Sequence, residues 1–336
     1  MKNTLFTIAL LTLIVIPISA GRYAGDFMMI GTGVRPMGMG GAFAALANDG
    51  SAIYWNSAGI AQIREPEFSA MHAFLYNGLA SYDNFSFCQP LPNGVTIGLN
   101  WTKLIVSEIP LFSESYLIGT NVDQRINNSA YHLPGIPDGK FNSVDDLFQF
   151  AFAKHVHYDA NMGWLFFEVP FDLYFGGNVK YIRREIMDFL GKGIGLDFGF
   201  KLTTDMGVIF DLEELGEFDF GLNFQDIAGT DIVWDTKTEH RDEVLFNTKL
   251  GIAVRQPIPP LKSDLTLVYD YDYVYQGSNH YGVEWTYDKK GSLRAGYYDK
   301  NFTCGVSVQV YGVNIDYALL TNPVGLTNRV GLRIRF

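Results

Sequence analysis

Residues 327–336 read "TNRVGLRIRF", and the way those residues alternate decides the fold. Successive side chains of an extended chain point to opposite faces. Val330, Leu332, Ile334 and Phe336 therefore share one face, and Arg329, Gly331, Arg333 and Arg335 share the other. The same split recurs upstream. In "LTLVYDYDYVY" (265–275), Leu265, Leu267, Tyr269, Tyr271, Tyr273 and Tyr275 oppose Thr266, Val268, Asp270, Asp272 and Val274. In "GIGLDFGFKLT" (193–203), Ile194, Leu196, Phe198, Phe200 and Leu202 oppose Gly195, Asp197, Gly199, Lys201 and Thr203.

One such strand fits any half-buried antiparallel sheet. Here the polar face is repeatedly glycine, Asp, Asn or Arg, while the apolar face is rich in Phe, Tyr and Trp. A soluble sandwich would turn its greasy faces inward. A transmembrane barrel turns them toward lipid, keeps a polar lumen, and closes so that no backbone edge meets hydrocarbon. The second arrangement accounts for every alternating segment from Glu67 onward. We expect an all-β fold: a transmembrane antiparallel β-barrel of about fourteen strands, spanning roughly 66–336.

The connections supply a parity check. With both termini at one end, the odd-numbered connections lie at the other and are expected to be long. Val106 to Ser143 and Gly229 to Glu243 are long and odd-numbered; Pro92-Asn93-Gly94 and Lys289-Lys290-Gly291 are tight, even-numbered turns. Trp101, Tyr181, Trp285 and Tyr287 suit the aromatic girdles of the two membrane interfaces.

Composition bounds the function. The chain has 336 residues, a formal net charge of −11, and 15% aromatic residues. That charge speaks against nucleic acid as a partner. Lys2, the apolar run Leu5 to Ile16, and Ser19-Ala20 before Gly21 read as a secretory leader over 1–20. Only Cys88 and Cys304 are present; the alternation puts them on opposite faces, so no bridge between them is expected. None of the six histidines sits in a nucleophile motif, and His155 with His157 is too small a set to specify a metal. No enzymatic chemistry and no cofactor are expected.

Between leader and strands lies "GTGVRPMGMGGAFAALANDGSAIYWNSAGI" (31–60). A dinucleotide fingerprint would need a third glycine where Pro36 stands, and a P-loop would need Gly-Lys-Ser/Thr, so neither fits. A fourteen-strand barrel is too wide for wall side chains to fill. Inward positions are often glycine, including Gly98, Gly176, Gly199, Gly221, Gly282, Gly296, Gly305 and Gly331, and the missing side chains make room. The natural occupant is residues 21–65, an N-terminal plug or hatch. Gly41 to Ala47 would make one helical turn, and Asn56 would cap another at Ser57 to Ile60.

At this point the residues resemble a known family. "MGMGGAFAALANDGSAIYWNSAG", followed by the barrel pattern and a terminal Phe336, is similar to the FadL-type outer-membrane proteins, including their PorV/PorQ branch. The resemblance implies a fourteen-strand barrel with an internal hatch, in the outer membrane of a Gram-negative-type bacterium. It puts Asn56, Ala58 and Gly59 on the family's Asn-Pro-Ala-Gly turn, with Ser57 in place of the proline. It also implies two jobs. FadL proper carries long-chain fatty acids and other hydrophobic molecules through a gap in the barrel wall; PorV-like members serve protein secretion and surface attachment, binding exported proteins.

For transport, the greasy hatch residues Phe27, Met28, Met37, Met39 and Phe43 are the candidate ligand site; the plain alternative is that they pack the hatch against the wall. For secretion, the long connection 106–143 is the candidate partner surface. Transport of hydrophobic small molecules is the reading taken forward, with secretion as the alternative. The other expected partners are outer-membrane lipid and the barrel-assembly machinery, the latter through the C-terminal strand ending in Phe336.

Overall fold

The computed structural model describes residues 25–112, 137–161, 163, 168–212, 214–273 and 277–336. The leader expected over 1–20 and most of the connection 106–143 lie outside these residues.

Fourteen antiparallel strands form a closed barrel. The first seven are β1 (Glu67–Leu75), β2 (Ala80–Leu91), β3 (Val95–Leu111), β4 (Gly139–Asn161), β5 (Glu168–Ile186), β6 (Phe189–Asp205) and β7 (Glu217–Gln225); a short hairpin of β8 (Thr230–Trp234) and β9 (Arg241–Val244), additional to the fourteen, follows. After it come β10 (Asn247–Ile258), β11 (Ser263–Asp272), β12 (Ser278–Tyr287), β13 (Gly291–Tyr298), β14 (Asn301–Val310), β15 (Val313–Leu320) and β16 (Thr327–Arg335). β1 pairs with β16, and β5 with β6, which closes the ring. Two-residue turns with both residues in the left-handed region, such as Asp299-Lys300 and Tyr311-Gly312, join neighbours at both ends. Their backbone twist matches that of the strands.

The alternation sorts as expected. Phe198, Leu267 and Val330 face out, at 42%, 54% and 44% exposure, while Lys201, Asp270 and Arg329 face in at 0%, 3% and 1%. Cys88 is buried and Cys304 exposed. On the outer face, Phe85, Trp101, Phe148 and Tyr181 stand side by side on β2 to β5, with ring centroids 5.6, 6.0 and 6.3 Å apart. Two residues further along, Asp83, Lys103, Asp146 and Arg183 form the next register row. An aromatic row capped by a charged row marks an interface between hydrocarbon and water.

The strands differ from the expectation in two places. β3 and β4 run past that boundary, through a bulge between Val106 and Ile109, to the pair Leu111↔Gly139. Part of the expected third connection is therefore ladder. The seventh connection is the β8–β9 hairpin, which prolongs β7 and β10. β6 leaves β7 at Phe198↔Phe224 and meets β8 at Lys192↔Val233. Between these points Ile227 N–H donates to Leu196 O at 3.0 Å.

Candidate functional site

Residues 25–63 lie against the inward face of the wall as a chain of short helical turns. The turns are Asp26–Ile30, Val34–Gly38, Ala52–Trp55 and Ser57–Gln62, so the helical turn expected at 41–47 falls instead on either side of it. Within 41–47 only one α-type bond forms, Ala47 N–H to Phe43 O at 2.8 Å. The inward glycines are where this segment touches the strands. A Cβ on Gly176 would sit 2.5 Å from Ala58 N, on Gly98 2.7 Å from Ile53 Cδ1, and on Gly282 2.7 Å from Met39 Cβ. Gly221, Gly296, Gly305 and Gly331 likewise meet Ala44, Gly40, Gly38 and Val34. Gly195 differs; its neighbours are Asp226, Thr230 and Lys180 of the wall itself.

The segment's backbone groups are satisfied by wall side chains, as buried polar groups must be. Phe43 and Ala44 N–H both donate to Asp270 Oδ2 at 2.6 Å. Gly40 N–H donates to Thr303 Oγ1 at 2.9 Å, and Gly50 N–H to Glu67 Oε1 at 2.6 Å. In the other direction, Gln225 Nε2 donates to Tyr54 O at 3.2 Å and Asn178 Nδ2 to Ile53 O at 3.0 Å.

Asn56 is fully buried and makes three bonds. Its Oδ1 accepts from Ala58 N–H at 3.3 Å, the cap expected from sequence, and its Nδ2 donates to Ala44 O at 2.9 Å and to Phe200 O of β6 at 3.0 Å. Ala58 is packed on Gly176, and a Cβ on Gly59 would run into Ala47. Ser57, standing where the resembling family has proline, is used: its hydroxyl donates to Ile53 O at 3.2 Å and accepts from Asn178 Nδ2 at 2.8 Å. A proline could do neither.

The lumenal charges are mostly paired. Arg35 holds Glu284 with two bonds of 2.7 and 2.9 Å, and Glu284 also accepts from Arg294 at 2.6 Å. Arg333 reaches Asp49 at 2.8 Å, Arg335 reaches Glu67 at 2.8 Å, and Lys249 binds Asp272. Lys180 sits between Asp197 and Asp226 at 2.8 Å from each, beside the point where β6 changes partner. His155 and His157 share one Asp172 oxygen at 2.7 and 2.9 Å. Among the described residues no group of three or more His, Cys, Asp or Glu is placed to hold a metal.

Two sizeable cavities lie on opposite sides of the segment. One, of about 450 Å³, opens at the end of the tight Lys289-Lys290-Gly291 turn and is lined by Arg35, Arg64, Arg255, Glu217 and Lys290 among other polar groups. The other, of about 570 Å³, opens at the long-connection end. From the segment, Asp26, Met29, Ile30, Met37, Tyr54 and Trp55 line it; the wall adds apolar Leu75, Tyr76, Tyr298 and Leu320 and polar Lys249, Asp272, His280, Asp299 and Arg329.

The five hatch residues singled out from sequence do not converge there. Met37 borders the large cavity, and Met28 a small void of about 30 Å³. Phe27 is packed under the Arg184 guanidinium at 5.3 Å, and Phe43 under that of Arg35 at 5.3 Å. Met39 is fully buried against Gly282 and Gly296. Sequence reasoning passed over Tyr54, Trp55 and Arg329 as cavity residues. An aromatic pair in a small-residue segment was the available signal for the first two; Arg329 looked like any other lumenal arginine.

No protein-family model matches the chain, and no curated protein matches it. Solved structures do. The Ralstonia pickettii toluene transporter TbuX is 13% identical over 91% of this chain and 98% of its own, with a TM-score of 0.50. The two share a barrel architecture. The Pseudomonas putida toluene transporter TodX is 11% identical over 90% of this chain and 96% of its own, at a TM-score of 0.47. Omp33 of Acinetobacter baumannii is 10% identical over 81% and 98%, at 0.40. At such identity the likeness to TbuX establishes the architecture alone. What this barrel passes or binds is argued below from its own residues.

Proposed function

We propose that this chain is an outer-membrane channel for hydrophobic small molecules, long-chain fatty acids and hydrocarbons among them, with residues 21–65 acting as its plug. The observation that carries this reading is the 570 Å³ cavity, to which the N-terminal segment contributes Met29, Ile30, Met37, Tyr54 and Trp55, with Asp26 beside them. The apolar part of this lining offers a greasy ligand a surface, with polar groups beside it to orient the molecule, and thioethers adapt to ligands of varied shape. The long-connection end faces the exterior in this reading, and the polar cavity beyond the plug faces the periplasm. Nothing in it requires a catalytic step.

Uptake tests the proposal. Cells lacking their own channels of this kind, supplied with the gene, should accumulate labelled toluene or oleate faster. Met37→Trp, which fills the cavity, should reduce that gain several-fold at equal surface abundance. Uptake independent of the protein would reject the reading.

The tall β3–β4 hairpin favours a second reading, a secretion component that presents this surface to exported proteins. Crosslinking from Leu111 in whole cells to a reproducible surface protein, with no uptake phenotype, would select it.

A further inference from the structure

Arg329 is the largest fully buried side chain in the barrel, at 1% exposure, and it lines the 570 Å³ cavity. Its Nη1 donates to Gly31 O at 2.7 Å and its Nη2 to Ile30 O at 2.9 Å. Nη1 also lies 3.7 Å from Met71 Sδ. Its Nε is buried with no partner. Among the described residues no carboxylate lies within ion-pair distance, although Arg35, Arg294, Arg333 and Arg335 each have one.

A guanidinium has five N–H donors, so two backbone carbonyls and a thioether leave it short of partners and of counter-charge. Burying an ion without a counter-ion costs several kcal/mol. The surroundings are aromatic: the guanidinium lies 5.8 Å from the Tyr82 ring centre, and the Tyr82 hydroxyl is itself buried without a partner. Tyr54, Trp55, Tyr76 and Tyr298 line the same cavity. The carboxylates there do not neutralise Arg329. Asp272 is bound by Lys249, and Asp26 and Asp299 are exposed at the rim.

We propose that this cavity binds an aryl carboxylate: the anionic head supplies the counter-charge that Arg329 lacks, and the ring lies among the tyrosines and Trp55. Two facts lead there independently. The uncompensated charge asks for an anion, since ionic hydrogen bonds are the strong ones. The density of ring faces asks for a flat body, since offset and edge-on ring contacts add to plain burial. The inference rests on the small-molecule reading above and narrows it to a class.

Titration calorimetry on the detergent-solubilised barrel tests it, with benzoate, its neutral isostere benzamide, toluene and dodecanoate as probes. Intact protein should bind benzoate at least tenfold more tightly than benzamide, a comparison that needs no variant. Arg329→Met should lose that preference and keep toluene binding, while Arg329→Lys should retain part of it; heat-dependent gel migration reports whether each variant is folded. Toluene binding without any preference for benzoate overturns the inference and leaves the channel reading in place. Arg329-dependent dodecanoate binding without benzoate binding overturns the aromatic assignment. Failure of every probe to bind removes both readings.

Discussion

Asn56 shows how much a single buried amide holds. It caps one turn, ties that turn to Ala44, and ties both to β6. Asn56→Ala leaves the Ala44 carbonyl and the Ala58 N–H without these partners, at about 1–3 kcal/mol for each group left unsatisfied, and cuts the tie to Phe200 of β6. The expected result is a lower unfolding temperature in heat-modified gel migration, with the barrel still assembling. The inward glycines make a similar point. Alternation alone identifies Gly199 as a small lumenal residue that would accept serine. In the folded barrel, however, a Cβ there runs into the Asn56 side chain. Gly199→Ser should therefore destabilise, and Thr266→Ser, also inward and buried, should not. The chain revealed which residues are small and which are charged. It did not reveal their partners, because those depend on barrel register. Asp270 is the clearest case: its partners are two backbone N–H groups, which no side-chain pattern can announce.

At the scale of elements, the lipid-crossing strands were legible because hydrocarbon on one side and polar contents on the other enforce a strict period of two. Phe198→Arg on the outer face of β6 should sharply reduce the amount of folded barrel in membranes, by roughly 2–4 kcal/mol for an arginine near mid-bilayer. Thr266→Ser in the same assay should leave assembly unchanged; equal amounts of the two would refute the assignment of faces. The β8–β9 hairpin was read as a loop for the complementary reason. Its strands are 5 and 4 residues long and lie beyond the aromatic row, where no lipid enforces alternation. Trp101 and Tyr181, which suit a girdle, do not end their strands: β3 and β5 continue past them. The girdle is real, but those ladders do not stop where the bilayer does.

At the scale of the molecule, the closed wall and the segment inside it make one prediction about permeation. In planar bilayers the intact protein should show small or rare conductance. A variant lacking 25–63 should conduct ions steadily, because removing the segment leaves a lumen lined by Asp, Lys and Arg. Equal conductance would mean that the segment is not the barrier. The wall is also uneven. β3 to β6 run 17, 23, 19 and 17 residues, against 10, 8, 10, 8 and 9 for β12 to β16. The sequence showed the closure through strand number and parity, but not the course of residues 25–63. That path was hidden, since each contact joins positions far apart along the chain.

That path constrains how the molecule is built. Residues 25–63 touch strands all round the ring, from β1 to β7 and from β10 to β16. Wall and segment satisfy one another's buried polar groups, so the ring and its filling are stabilised together. A displaced segment would then loosen the cylinder as well as let it leak.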